Sequence, residues 1–148
     1  MAKIRPLISD LNEKFKLYWP ETQALNVDES MIPYYGRHQC KQFIQNKPIR
    51  YGHKIWCLNS PSGYLVQFEP YQGAGIVENK YGLGMGGSVV IALRKELPAK
   101  SYHLFFDNLF SSVPLFEELS AIGMSGTGTM RQNRVQKCPL SDKDDEER

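Results

Sequence analysis

One stretch constrains the fold more than any other: Tyr102-His103-Leu104-Phe105-Phe106, closed by Asp107-Asn108-Leu109-Phe110-Ser111-Ser112. Its first half is an unbroken aromatic and aliphatic run, the pattern of a strand buried on both faces. It stops at a carboxylate followed by residues that start helices. Ligands and chemistry collect at the carboxyl ends of strands in open α/β sheets, so Asp107 stands where a functional acid would stand. A second acid, Asp28, lies 79 residues earlier and again follows apolar residues, in Leu25-Asn26-Val27-Asp28-Glu29-Ser30-Met31-Ile32. Two acids of this kind suggest a site.

A chain of 148 residues with 41% hydrophobic and 11% aromatic residues is expected to fold as one globular domain. No apolar run approaches the ~20 residues needed to cross a bilayer, and the start lacks a signal-like apolar segment, so no membrane partner and an intracellular setting are expected. Cys40, Cys57 and Cys138 are odd in number and form no C-x-x-C pair, which argues for a reducing compartment. The net charge of +2 conceals an asymmetry: residues 142–148 hold five acids and two bases, leaving +5 on the rest. That tail reads as disordered. Residues 31–67 contain no acid, yet Arg37, Lys41, Lys47, Arg50, Lys54, His38 and His53 fall there. Two readings stay open for this stretch: a surface for a polyanion, or a solvated strand edge protected by lysines.

Periodicity predicts an amphipathic helix over 4–18, stopped before Pro20, and a first strand over 24–32 carrying Asp28. A short strand over 42–45 is followed by a turn at Asn46-Lys47-Pro48. Runs 51–58 and 64–71, joined by Asn59-Ser60-Pro61-Ser62-Gly63, read as a hairpin. Residues 73–87 hold six glycines and read as a loop that opens a helix over 88–97. The run 102–106 is the next strand. Ser111 or Ser112 can cap a helix reaching Gly123, and a last strand covers 124–130. Helix, three strands with a hairpin, helix, strand, helix, strand is the element order of an α/β fold of the ribonuclease-H-like kind, a mixed sheet flanked by helices. That order would set Asp28 beside Asp107.

Several blocks in order carry a family resemblance. They are Asn26-Val27-Asp28-Glu29-Ser30-Met31, Tyr34-Tyr35-Gly36-Arg37, the run from Asn46 to Trp56, Gly63-Tyr64, Phe105 to Ser112, and Gly126-Thr127-Gly128-Thr129-Met130-Arg131-Gln132-Asn133-Arg134. Over residues 4–140 the chain resembles the transposase domain of piggyBac elements and their domesticated derivatives. The resemblance implies a ribonuclease-H-like domain over 1–140 followed by an acidic tail at 141–148. It implies a DDE-type catalytic set of three aspartates, with Asp28 and Asp107 as the first two. It also implies Mg2+ or Mn2+ as cofactor, DNA as partner, transposition as the ancestral activity and a nuclear location, with a homodimer or chromatin partners possible.

The chemistry explains the residue types. Strand cleavage and joining are in-line displacements at phosphorus, and hard carboxylate oxygens hold the divalent ions that stabilise attacking and leaving oxygens. The family's third aspartate falls beyond the end of this chain, and no residue here matches it. Asp142, Asp144, Asp145 and Glu146 lie in the hydrophilic tail and are not assigned to that role. The expectation is therefore a domain incomplete at its C-terminus, with two metal-binding acids and without catalysis. A domesticated, non-catalytic DNA- or chromatin-binding domain is the alternative. Arg37, Lys41, Lys47, Arg50, Lys54, Arg131 and Arg134 are the candidate DNA contacts.

Competing readings accompany each feature. An aspartate at a strand end also serves as a turn or cap residue. Glu29 is expected to face away from Asp28. His38, Cys40, His53 and Cys57 could be drawn as a zinc site, although their spacing fits no standard pattern. Tyr51, Trp56 and Tyr64 could stack on bases or serve the core. Gly82-Leu83-Gly84-Met85-Gly86-Gly87 imitates a dinucleotide-binding loop, but the hairpin before it does not belong to a βαβ unit.

Overall fold

The computed structural model describes residues 2–45, 47–73 and 82–135. A 3-10 turn at Ala2–Ile4 leads into helix α1 (Arg5–Leu17), which has proline in its first turn and Lys14 and Lys16 in its last. Both features suit the respective helix ends, since proline lacks the unneeded N–H and cations favour the C-terminal dipole.

Strand β1 (Ala24–Pro33) lies at the centre of the sheet. On one side it pairs antiparallel with β3 (Tyr51–Asn59), and on the other it pairs parallel with β5 (His103–Phe106). Strand β6 (Ser125–Gly128) continues the parallel half beyond β5. The outer side of β3 carries β2 (Lys41–Phe43) at its start and β4 (Leu65–Pro70) along the rest. Helices α2 (Gly84–Lys95) and α3 (Val113–Ala121) supply the crossovers that parallel pairing requires. A central strand with one antiparallel and one parallel neighbour, a preceding hairpin and helical crossovers is the ribonuclease-H-like arrangement that the element order predicts.

The core forms where alternate strand residues meet the two later helices. Leu25 and Val27 of β1, Leu58 of β3 and Leu104 of β5 are almost fully buried in one cluster with Val90 of α2 and Leu115 of α3. Burial of one such side chain contributes about 1.5–3 kcal/mol. Helix α1 closes the β4 edge: Asn12 donates to the Phe68 carbonyl at 2.8 Å and accepts from its N–H at 2.9 Å. A strand edge is thereby capped by one side chain. Arg5 grips Glu69 with two 2.7 Å bonds, and the Tyr64 hydroxyl donates to the Phe15 carbonyl at 2.8 Å.

Two details depart from the sequence pattern. Strand β5 is buried on one face only, because Leu104 and Phe106 point into the core while Phe105 is 42% exposed. An unbroken apolar run does not distinguish these cases, since alternation assigns faces whatever the residues are. Helix α2 also begins at Gly84, inside the glycine-rich stretch read as loop. Tertiary packing offsets the poor helix propensity of glycine here: a Cβ on Gly86 would meet the Leu109 carbonyl oxygen at 2.5 Å. The same contact answers the dinucleotide reading, because protein backbone takes the close approach that glycine permits. The tail at 141–148 lies outside the described residues.

Candidate functional site

Parallel register brings the two singled-out aspartates together. Val27 pairs with Phe106, and Asp28 and Asp107 are the next residues on their adjacent chains. Asp28 is half-buried opposite its antiparallel partner Cys57, while Asp107 is exposed. Each carboxylate is oriented by a local backbone donor. Asp28 Oδ1 accepts from the Glu29 N–H at 2.7 Å, and Asp107 Oδ1 accepts from the Leu109 N–H at 2.8 Å.

The turn after Asp107 is braced from several directions. The Asp107 carbonyl accepts from the Phe110 and Ser111 N–H groups at 3.2 Å and from Ser111 Oγ at 3.0 Å. Ser112 caps α3 by accepting from the Leu115 N–H at 3.3 Å. Arg134 Nη1 donates to the Asn108 carbonyl at 2.8 Å and to the Ser111 carbonyl at 2.9 Å. Arg131 Nε reaches Asn108 Oδ1 at 3.2 Å. These two arginines, candidates for DNA contact in the sequence, thus also hold the turn that carries Asp107.

The other basic candidates divide into distinct settings. Lys47 Nζ lies 3.1 Å from Glu29 Oε1, and the Glu29 side chain is only 10% exposed. Burial lowers the Lys47 pKa, but the Glu29 hydrogen bond and charge, with the charges of Asp28 and Asp107, carry it above the ordinary lysine value. Lys54 lies over the Trp56 ring, 3.9 Å from its centroid, and burial pulls its pKa down despite the nearby acids. Lys41 sits 5.4 Å above the Tyr51 ring. Arg37 and Arg50 are exposed.

The competing readings receive geometry as well. The His38 and His53 rings are 4.9 Å apart, yet no group of three His, Cys, Asp or Glu side chains able to hold a metal occurs among the described residues. Trp56 is buried and Tyr64 is half-buried against α1, so Tyr51, 51% exposed, is the member of that trio open to solvent. The Cys57 thiol is pushed up to about 11, first by burial and then by the Asp28 charge. The Glu29–Lys47 pair and the Arg134 brace were not foreseen. Neither has a local signal, since the partners stand 18 and 23 residues apart.

A mixed sheet of this order, with its helical crossovers, defines the ribonuclease-H-like α/β class. Within that class the chain belongs to the Transposase IS4 family, whose model matches residues 1–146, and it is a piggyBac transposase-derived domain. It is 43% identical over 143 residues to the Homo sapiens PiggyBac transposable element-derived protein 3, covering 94% of this chain and 24% of that protein. It is 42% identical over 144 residues to the Homo sapiens PiggyBac transposable element-derived protein 2, covering 95% of this chain and 24% of the relative. The chain therefore spans about a quarter of the length of these relatives. Among solved structures it resembles the piggyBac transposase in a synaptic complex with hairpin DNA, seen by cryo-EM, with a TM-score of 0.79 and 28% identity over 88% of this chain and 27% of that one. No helix among the described residues is long and apolar enough to cross a membrane.

Proposed function

We propose that this domain binds DNA and holds a divalent cation, Mg2+ or Mn2+, on Asp28 and Asp107, as a transposase-derived module acting in the nucleus. The observation that supports the reading is the parallel Val27–Phe106 pairing, after which Asp28 and Asp107 follow on adjacent chains. Hard carboxylate oxygens, one on the central strand and one on the braced turn after β5, fit such a cation, and Lys47 already offsets negative charge there. When bound, the ion would supply Lewis-acid stabilisation for oxygens at a phosphodiester. The chain's own contribution is to orient the two acids through the Glu29 and Leu109 N–H groups and to brace the Asp107 turn through Arg134.

A non-catalytic role in DNA or chromatin binding is the second reading. It is supported by the likeness to PiggyBac transposable element-derived proteins 3 and 2. Under it the chain alone does not cut DNA, and any homodimer or chromatin partner supplies the biological context. Calorimetric titration with Mn2+ tests the site: saturable binding by the parent chain should be lost in both Asp28→Asn and Asp107→Asn. Equal binding by these variants while folded would refute the assignment. Metal-dependent nicking abolished by Asp107→Ala would refute the non-catalytic reading.

A further inference from the structure

The outer corner of the sheet carries a feature that the paired acids do not use. Phe43 of β2 and Tyr51 of β3 are direct cross-strand partners, their ring centroids are 4.7 Å apart, and they are 55% and 51% exposed. Strand β2 is the last in the sheet order, so this ring pair sits at an edge. Edges are ordinarily protected by charge, and two adjoining exposed rings do the opposite. Lys41 lies over the Tyr51 ring, and Arg37 and Arg50 are exposed in the same acid-free segment. Neither arginine forms an ion pair with an acid among the described residues.

Exposed rings among unopposed cations match the chemistry of unpaired nucleotides, whose bases stack while their phosphates are neutralised. Duplex DNA offers the phosphates but keeps its base faces stacked. Strand alternation adds a direction: Tyr51, His53, Ile55 and Cys57 share one face of β3, and Cys57 pairs with Asp28. Tyr51 and Cys57 are six residues apart, or about 20 Å along the strand. The rings stand at the outer end of that face, beyond His53, which packs against the Tyr34 and His38 rings.

We propose that the Phe43–Tyr51 pair, with Lys41 over the Tyr51 ring and Arg37 and Arg50 exposed in the same acid-free segment, is a stacking platform for unpaired DNA. The proposal rests on the DNA-binding reading above and deepens it. The test is fluorescence anisotropy of the full chain with a labelled thymine oligonucleotide and with a duplex of equal length, at low and moderate salt. The expected result is tighter binding of the single strand, with a loss of roughly 10-fold in Phe43→Leu/Tyr51→Leu, which keeps apolar bulk but removes the rings. Duplex binding should be unchanged in that variant. Arg37→Gln/Arg50→Gln should weaken both DNA forms and flatten the salt dependence. Intact duplex binding without single-strand preference, or full single-strand affinity in the ring-free variant, overturns the platform alone. Absence of binding to either DNA at low salt overturns the platform and the DNA-binding reading together.

Discussion

Lys47 Nζ and Glu29 Oε1, 3.1 Å apart, tie the turn after β2 to the central strand one residue from Asp28. Glu29 is held in a half-dry setting, and its Oε2 is buried without a hydrogen-bond partner among the described residues. Lysine here is a fixed counter-charge beneath the two aspartates, where a solvated lysine would be a mobile one.

Lys47→Ala should lower stability by about 1–3 kcal/mol, because the remaining buried carboxylate loses its partner. Adding Glu29→Gln should recover part of that loss, and urea unfolding of the single and double variants measures the coupling. The folded-state lysine pKa is raised, so its contribution is complete below the ordinary value of 10.5 and disappears as pH climbs through the raised one.

Removing the brace on the Asp107 turn should act on the site more than on DNA. Arg134→Ala frees two carbonyls of that turn, at Asn108 and Ser111. Weaker Mn2+ binding with an unchanged salt slope for DNA is the expected result. A change in the salt slope by about one unit with intact metal binding would assign Arg134 to phosphate contact instead.

Gly86→Ala should destabilise the fold by about 1–3 kcal/mol, since the added methyl collides with the Leu109 carbonyl and with Phe110 Cα at 2.8 Å. The same substitution should reduce Mn2+ affinity, as the displaced backbone follows Asp107 directly. Thermal unfolding and calorimetry report the two effects separately.

Cys57 supplies a pH signature. Its thiol titrates near 9.0 when unfolded and at about 11 when folded, so the native state keeps a proton that the unfolded state has lost between those values. Stability is therefore whole below about pH 9 and falls by roughly 2–3 kcal/mol as pH rises toward 11. Cys57→Ala should remove that slope in urea titrations. Near neutral pH, alkylation mapped by mass spectrometry should reach half-exposed Cys40 well before buried Cys57.

Ser112→Ala removes the side-chain acceptor for the Leu115 N–H at the start of α3. The expected cost is about 0.5–2 kcal/mol in a urea midpoint experiment, with Mn2+ affinity retained if the Asp107 turn stands on its own bracing.

The amino-acid sequence by itself determined the order of elements, the hairpin of β3 and β4, a serine cap at Ser111 or Ser112 and the meeting of Asp28 with Asp107. These follow from short-range regularities: alternation, turn residues, caps and the handed crossover that parallel strands require. It left open which side of β5 is covered, where α2 begins, and what Lys47, Lys54, Arg131 and Arg134 do. Each of those depends on a contact between distant positions, such as Gly86 against Leu109 or Lys47 against Glu29. A basic residue has the same local pattern whether it faces solvent, an aromatic ring or a buried carboxylate. Only the folded arrangement settles the question, because desolvation and charge pairing are properties of the assembled neighbourhood.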